Sequence, residues 1–186
     1  MSELRIRFAG RGGQGVAAAA LLLADAAVRA GRNATFSQSY GPESRGGASK
    51  ADVIVSDEEI AYPIASALDV LVALSASGRD RYLPELRPGG LLIADSSGDD
   101  AVPGTVCAIL PITATARATV GNGPGANLVA LGAFVETTGV VPIEAVEAAI
   151  SARPPGGSVA LALAALHAGS RLATPHIGAA REAMAM

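Results

Sequence analysis

The sequence predicts an α/β fold, a three-layer α/β/α arrangement in which a mixed, mostly parallel sheet lies between layers of helices. Short apolar runs typical of strands alternate with helix-forming segments along the first part of the chain. A glycine-rich turn joins the first such run to a segment rich in Ala and Leu. A long polar loop joins the next two runs and indicates a hairpin, which makes the sheet mixed rather than purely parallel.

The first strand is predicted at residues 4–9, where Leu4, Ile6 and Phe8 alternate with two arginines. A period of two places the apolar and the basic side chains on opposite faces of a strand. Residues 17–30 then carry good helix formers and contain neither Gly nor Pro. The chain therefore begins as a strand, a tight turn and a helix.

The turn at residues 10–15 reads GRGGQG. Glycines adopt backbone angles closed to other residues and let a ligand approach the first amides of the helix, where the dipole favours an anion. This makes Gly12, Gly13, Gln14 and Gly15 candidate phosphate-binding residues. The alternative is a tightly packed turn that binds nothing, because this glycine spacing has many false positives.

A dinucleotide site would also need an acidic residue about 20 positions further on, at the end of the second strand. The second strand is predicted after Gly31, a helix C-cap, and continues to Ser37. Thr35-Phe36-Ser37-Gln38 stands where the acid is needed. The sequence therefore argues against NAD, although not against other phosphorylated ligands.

The hairpin loop, residues 38–50, combines cations, hydroxyls and glycines before a third strand predicted at residues 51–55. Such a combination suits a phosphate or a carboxylate. The residues that make it so are Ser39, Ser44, Arg45, Gly46, Gly47, Ser49 and Lys50. A flexible polar hairpin tip without a ligand is the commoner alternative.

Further along the chain, strands are predicted at residues 69–75, 91–95 and 106–110. A short extended segment is predicted at 60–64, a short helix interrupted near Pro84 at 78–86, and a turn at 88–90. Helices separated by Gly and Pro follow at residues 113–120, 128–138, 143–152 and 158–168. The strands thus precede a helical final third.

Four side chains in this part have chemistry that could serve a special role. Asn122 and Asn127 lie in a polar stretch before a helix, where they either cap helix ends or present amides to a ligand. Cys107 is expected to be a buried, inert thiol in a strand. His167 is expected to be packed in a helix, and no catalytic constellation or metal site is predicted.

Composition limits the function classes. At 186 residues the chain suits a single domain, predicted over residues 1–186. Half of the residues are apolar and only 3% are aromatic, so small aliphatic side chains must build the core. Burial of part of the apolar surface on a partner is expected. The net charge of −3 gives no reason to expect nucleic acid or an acidic membrane surface. One cysteine cannot hold an iron–sulfur cluster, and the longest apolar runs are too short to span a bilayer, so a cytoplasmic location is expected.

Five strings of the sequence together resemble the gamma subunit, or gamma domain, of the 2-oxoacid:ferredoxin oxidoreductases of the 2-oxoglutarate and pyruvate type. They are GRGGQGVAAAALLLADAA, QSYGPESRGGASKADVIVSDEEIAYP, DVLVALS, LRPGGLLIADSS and GNGPGANLVALGAFVETTGV. The combination of GRGGQG with YGPESRGG and SDEEI is specific, and the resemblance spans about residues 4–170. The small subunit of indolepyruvate oxidoreductase is a related alternative.

The resemblance implies a complex that oxidatively decarboxylates a 2-oxoacid to an acyl-coenzyme A and passes the electrons to ferredoxin. Alpha and beta subunits would bring thiamine diphosphate and the iron–sulfur clusters, so this chain would be inactive alone. Its implied contribution is a wall of the coenzyme A site and part of the subunit interface. A purely structural interaction subunit and a self-sufficient nucleotide-binding oxidoreductase are the alternatives from other classes.

Carried over by position, the resemblance implies a first glycine loop, a second loop and a third asparagine-containing pattern. The matching residues are Gly12, Gly13, Gln14, Gly15, Gly41, Ser44, Arg45, Gly46, Gly47, Ser49, Lys50, Asn122 and Asn127. With Ser39 from the hairpin loop, all of these except Asn127 are the predicted coenzyme A-binding residues. No catalytic residue is predicted in this chain.

Overall fold

A computed structural model describes residues 3–39, 48–96, 105–121, 125–154 and 158–174 of the chain. The described residues form six strands: β1 (Leu4–Arg11), β2 (Asn33–Ser39), β3 (Ala48–Ser56), β4 (Leu68–Ala73), β5 (Leu86–Asp95) and β6 (Val106–Leu110). They also form six α-helices: α1 (Val16–Arg29), α2 (Ala76–Tyr82), α3 (Ile112–Val120), α4 (Ala126–Thr138), α5 (Ile143–Ala152) and α6 (Val159–Ala173).

The strands form one mixed sheet in the order β2-β3-β1-β4-β5-β6. β3 runs antiparallel to both of its neighbours, whereas β1, β4, β5 and β6 are parallel to one another. The sheet is therefore mixed and mostly parallel, as the sequence predicts. The β2–β3 hairpin is also confirmed, and it places β3 next to the strand that leads into the glycine turn.

The two faces of the sheet are covered unequally. The larger core joins one face to α1, α3, α4, α5 and α6, with Phe8 and Phe134 in edge-to-face contact at 5.8 Å between ring centroids. The smaller core, on the other face, packs against α2 through Tyr82 and against Ala65 from the segment before β4. The fold is α/β with helices on both faces, but among the described residues one of the two faces is covered by a single short α-helix, α2.

The extended segment predicted at residues 60–64 lies outside the strands of the described sheet, and its Tyr62 and Ile64 are more than half exposed. One strand prediction needs correction. β5 begins at Leu86, so the predicted turn at residues 88–90 lies within the strand, where the pairing with β4 shifts register. Pro and Gly here mark an irregular strand start, which their turn propensity alone does not distinguish from a turn.

The predicted short helix at residues 78–86 is displaced. α2 begins at Ala76 because the Ser75 hydroxyl accepts a hydrogen bond from the Gly78 amide and caps its start. A 3₁₀ turn, Leu83–Glu85, follows and contains the proline that the sequence places at the interruption. The later helices lie where predicted, with ends that differ by a few residues.

α4 and α6 cross at two glycines. A Cβ atom on Gly132 would lie 1.9 Å from the Leu166 carbonyl oxygen, and one on Gly169 would lie 1.9 Å from the Val129 carbonyl oxygen. Only residues without a side chain permit backbones to approach this closely. α4 is consequently buried on nearly all sides, yet no helix among the described residues is long and apolar enough to cross a membrane.

Cys107 and His167 both differ from expectation. Cys107 lies in β6 as predicted but is only half-buried. β6 is an edge strand, and Cys107 lies at the margin of the smaller core. The His167 side chain is 42% exposed, and its Nε2 lies 3.0 Å from a carboxylate oxygen of Glu147 on α5. Helical periodicity placed this histidine among leucines, but it lies at the rim of the α5–α6 contact.

Candidate functional site

The glycine turn leads from the end of β1 into α1 at the carboxyl edge of the parallel strands. Gly13 and Gly15 have φ angles of 88° and 74°, in the left-handed region that favours glycine. Gly15 is the N-cap of α1, and the first turn of α1 has neither a side-chain cap nor an acidic residue. The positive end of the α1 dipole thus faces outward without a neutralising side chain from the first turn.

The Gln14 side chain holds the turn against the sheet. Its Oε1 accepts a hydrogen bond from the Arg11 amide at 2.6 Å, and its Nε2 donates to the Leu74 carbonyl at 2.8 Å. Gly10 permits this, because a Cβ there would lie 2.8 Å from the Gln14 Oε1. Gln14 therefore contributes internal hydrogen bonds that fix the turn at the end of β4.

Asn127 holds the other end of the turn. It lies in the first turn of α4, where Gly125 is the N-cap, so the predicted capping role of Asn127 is wrong. Its Nδ2 donates to the Gly15 carbonyl at 3.2 Å, and only 6% of the residue is exposed. The buried amide is turned toward the glycine turn rather than toward its own helix.

A cavity of about 230 Å³ opens over the turn. Its lining consists of Gly12, Gly13, Gly15, Val16, Ala17, Ser49 and Lys50. A Cβ atom on Gly12 would meet nothing within 4 Å among the described residues, and Gly12 has no positive φ. Within the described structure, packing does not require glycine at position 12, so its bare backbone leaves the cavity open to an approaching group.

The described ends of the second loop lie beside this turn. In the β1–β3 pairing Gly10 is opposite Ser49, and the Ser49 hydroxyl donates to the Gly10 carbonyl at 3.2 Å. Ser39 is opposite Lys50 and is exposed at the outer edge of the sheet. The remaining predicted residues of this loop lie outside the described residues: Gly41, Ser44, Arg45, Gly46 and Gly47. Asn122 of the third stretch lies outside them as well.

The Lys50 ammonium lies under the opposite face of the sheet from α1. Strand alternation directs it with Asp52, whose carboxylate is 3.7 Å from Nζ, and Nζ lies 5.6 Å from the centroid of the Tyr82 ring. Both partners are largely buried. Lys50 thus belongs to the lining of the cavity, but its ammonium group lies beside Asp52 and Tyr82.

Beneath Lys50 lies a fully buried arginine, Arg7. Its guanidinium donates to both carboxylate oxygens of Asp52, at 2.6 and 2.8 Å, and to Glu85 at 2.5 Å. The guanidinium also stacks 4.9 Å from the centroid of the Tyr82 ring. Burial lowers the pKa of Arg7, but the hydrogen bonds and charges of Asp52 and Glu85 together raise it above its ordinary value.

The structure therefore brings five of the predicted site residues to one cavity: Gly12, Gly13, Gly15, Ser49 and Lys50. Gln14 supports the turn from behind, and Ser39 lies apart from the lining. Sequence reasoning missed Asp52 and Tyr82 as partners of Lys50. The two-residue spacing of Lys50 and Asp52 on a strand was a usable signal, whereas nothing local pointed to Tyr82.

Comparisons with known proteins agree on one family. The family model for pyruvate ferredoxin/flavodoxin oxidoreductase matches residues 5–172. The 2-oxoglutarate synthase subunit KorC of Methanothermobacter marburgensis is 42% identical over 178 residues, which cover 90% of this chain and 95% of that protein.

Two solved structures resemble the fold. The gamma subunit of the keto/oxoacid ferredoxin oxidoreductase from Geobacter sulfurreducens is 40% identical, with a TM-score of 0.85 over 94% of this chain and 98% of that one. The 2-oxoglutarate:ferredoxin oxidoreductase from Magnetococcus marinus, solved with 2-oxoglutarate, coenzyme A and succinyl-CoA bound, is 24% identical, with a TM-score of 0.83 over 94% of this chain and 32% of that one. At that identity the second likeness is one of fold.

Proposed function

The chain belongs to the pyruvate ferredoxin/flavodoxin oxidoreductase family, and from this premise we propose that it is the gamma subunit of a 2-oxoacid:ferredoxin oxidoreductase complex. The complex decarboxylates a 2-oxoacid oxidatively and forms an acyl-coenzyme A. Because the relatives include proteins named 2-oxoglutarate synthase subunit, 2-oxoglutarate is the first substrate to supply.

In this proposal alpha and beta subunits complete the enzyme. They hold thiamine diphosphate, which supplies the decarboxylation chemistry, and the iron–sulfur clusters, and ferredoxin accepts the electrons. This chain has a single cysteine, which is too few to ligate a cluster. The proposal also takes residues 1–186 as one gamma-type domain and places the complex in the cytoplasm.

The contribution of this chain is a wall of the coenzyme A site, and the cavity over the glycine turn carries that assignment. The cavity exposes the backbone of Gly12 and Gly13 next to the start of α1, which lacks a side-chain cap. Coenzyme A carries several phosphate charges, and amides at a helix N-terminus favour such anions. Ser49 adds a hydroxyl to the same cavity.

Arg45 and Lys50 are the cations proposed to hold the anionic portion of coenzyme A, with Gln14, Ser39, Gly41, Ser44, Gly46, Gly47 and Asn122 as the other proposed binding residues. The Lys50 ammonium is 3.7 Å from Asp52, beyond hydrogen-bonding distance, and its side chain is 27% exposed. In this proposal the ammonium turns from Asp52 and Tyr82 toward the cavity when the phosphate binds. Each lost charge-assisted contact should weaken binding by about 1.5–3 kcal/mol, or roughly tenfold or more.

The test uses Arg45→Ala and Lys50→Ala, made singly in the assembled complex, with the apparent KM for coenzyme A measured beside that for the 2-oxoacid. Arg29→Ala is the matched control, because it removes an exposed cation of α1 at the end remote from the cavity. We expect a selective rise in the KM for coenzyme A in the two loop variants and none in the control.

The alternative function, a purely structural interaction subunit, predicts a different result. In that case Arg45 and Lys50 pair with carboxylates of the partner subunits, and their loss weakens assembly without changing the kinetics of the complex that still forms. Unchanged KM values in an intact complex would thus reject the coenzyme A assignment. Turnover of indolepyruvate in preference to 2-oxoglutarate would instead favour the related indolepyruvate enzyme.

A further inference from the structure

We propose that Asn127 is a positioning residue for the cavity over the glycine turn, acting on the ligand through Gly15 rather than by contact. This inference rests on the proposed function, because the ligand whose affinity it affects is coenzyme A. Asn127 belongs to α4, a helix far along the chain from the turn, and no part of the catalytic chemistry is assigned to it.

The contact is close and has one partner atom in the turn. Asn127 Nδ2 donates to the Gly15 carbonyl at 3.2 Å across a sequence separation of 112 residues. A Cβ built on Gly15 would lie 2.7 Å from the same Nδ2 and 3.0 Å from Asn127 Cγ. The asparagine side chain thus fills the space that any residue other than glycine would need at position 15.

The Gly15 carbonyl sets the direction of the first turn of α1. It accepts a hydrogen bond from the Ala19 amide at 3.1 Å, the first bond of the helix, and Asn127 adds a second donor. Gly15 has a φ of 74° and no side chain to restrict it, so contacts from outside the turn must fix its conformation. Asn127 does so on the helix side, as Gln14 does on the strand side.

α4 is a suitable anchor for this purpose. Ten of its thirteen residues are buried, and it crosses α6 so closely that a Cβ on Gly132 or Gly169 would clash with the backbone of the other helix. A polar side chain buried in such a helix is unfavourable unless it is hydrogen-bonded. The buried amide of Asn127 is paired with the turn, which indicates that holding the turn is its role.

Two variants separate the hydrogen bond from the volume of the side chain. Asn127→Asp keeps the size but replaces the donor with a carboxylate facing the Gly15 carbonyl, and Asn127→Ala removes the amide. Ser170→Ala is the matched control, because it deletes a hydrogen bond of 2.6 Å between α6 and Glu136 of α4 without touching the turn. Gly12→Val tests the cavity itself, because Gly12 lies in the lining and a Cβ there would meet nothing within 4 Å among the described residues.

All variants are examined in the assembled complex by two measurements, hydrogen exchange at the Ala19 amide and the apparent KM for coenzyme A beside that for the 2-oxoacid. We expect both Asn127 variants to speed exchange at Ala19 and to raise the KM for coenzyme A about three- to tenfold, with the KM for the 2-oxoacid unchanged. Ser170→Ala should change neither the exchange at Ala19 nor the KM for coenzyme A, even if it lowers the melting temperature as much as the Asn127 variants do.

The possible failures are distinguishable. Unchanged hydrogen exchange at Ala19 in both Asn127 variants would overturn the positioning role. The role would also be overturned if the Asn127 variants exchange faster but keep the KM for coenzyme A unchanged, while Gly12→Val raises that KM. An unchanged KM in the Gly12→Val complex as well would overturn the proposed coenzyme A site. A rise in KM for Ser170→Ala equal to that for Asn127→Ala would reduce Asn127 to a structural residue and overturn the inference.

Discussion

Gly12 and Gly15 belong to the same turn, yet different physical constraints act on them. Gly15 has a positive φ and no room for a Cβ, because Asn127 occupies that space. Gly12 has neither constraint among the described residues. Packing thus requires glycine at position 15, whereas glycine at position 12 keeps the cavity open.

This difference predicts unequal effects of two alanine substitutions on stability. Gly15→Ala should lower the free energy of unfolding by about 1–3 kcal/mol or more, because it adds backbone strain and a clash. Gly12→Ala should change it by less than about 0.5 kcal/mol. Chemical denaturation of the purified variants measures both, and an equal loss of stability would contradict the assignment.

The buried Arg7 supports a second residue-scale prediction. In the Asp52→Ala variant, the carboxylate left beside the Arg7 guanidinium among the described residues is that of Glu85, which lies largely at the surface. We expect this change to lower the free energy of unfolding by about 3–5 kcal/mol. Asp25→Ala is the control, because it removes the exposed Arg29–Asp25 pair and should cost no more than about 0.5 kcal/mol. Thermal unfolding of the two variants would contradict the prediction if their melting temperatures fell equally.

At the scale of elements, the α4–α6 crossing fixes the helical layer that carries Asn127. Gly132 and Gly169 each lie against a carbonyl oxygen of the opposite helix. The close separation of α4 and α6 requires glycine at both positions, because a side chain at either one would force the helices apart. The position of Asn127 relative to the glycine turn depends on this crossing.

We therefore expect Gly132→Ala to lower the free energy of unfolding by about 1–3 kcal/mol or more through overpacking, despite the better helix propensity of alanine. Because α4 shifts, the apparent KM for coenzyme A should also rise in the assembled complex. Gly12→Ala, which adds the same methyl group without a contact, is the control for stability. A more stable Gly132→Ala protein would show that the helices can separate without penalty.

For the whole molecule, the single cysteine and the subunit nature of its relatives lead to one prediction. The purified chain should be colourless and should not turn over any 2-oxoacid until alpha and beta subunits are added. Visible absorption spectra and ferredoxin-linked assays with 2-oxoglutarate measure this. Cluster absorbance or turnover by the chain alone would contradict it.

The sequence by itself determined the class of fold, the first strand, the glycine turn, the hairpin and the helical final third. These features follow from local patterns, because apolar periodicity and glycine conformation act over neighbouring residues. The glycine spacing identified Gly12, Gly13 and Gly15, and the cations and hydroxyls of the hairpin loop identified Ser49 and Lys50. The structure brings these five residues to one cavity.

Only the tertiary structure decided which groups control that cavity. The partner of Gly15 comes from α4, and the partners of Lys50 include Tyr82 of α2. Alternation predicted that Arg7 lies on the strand face opposite Leu4, Ile6 and Phe8. Its burial is compensated by Asp52 of a neighbouring strand and Glu85 of a later turn. Such contacts join residues distant in the chain, and a pattern that repeats every two or four residues carries no information about them.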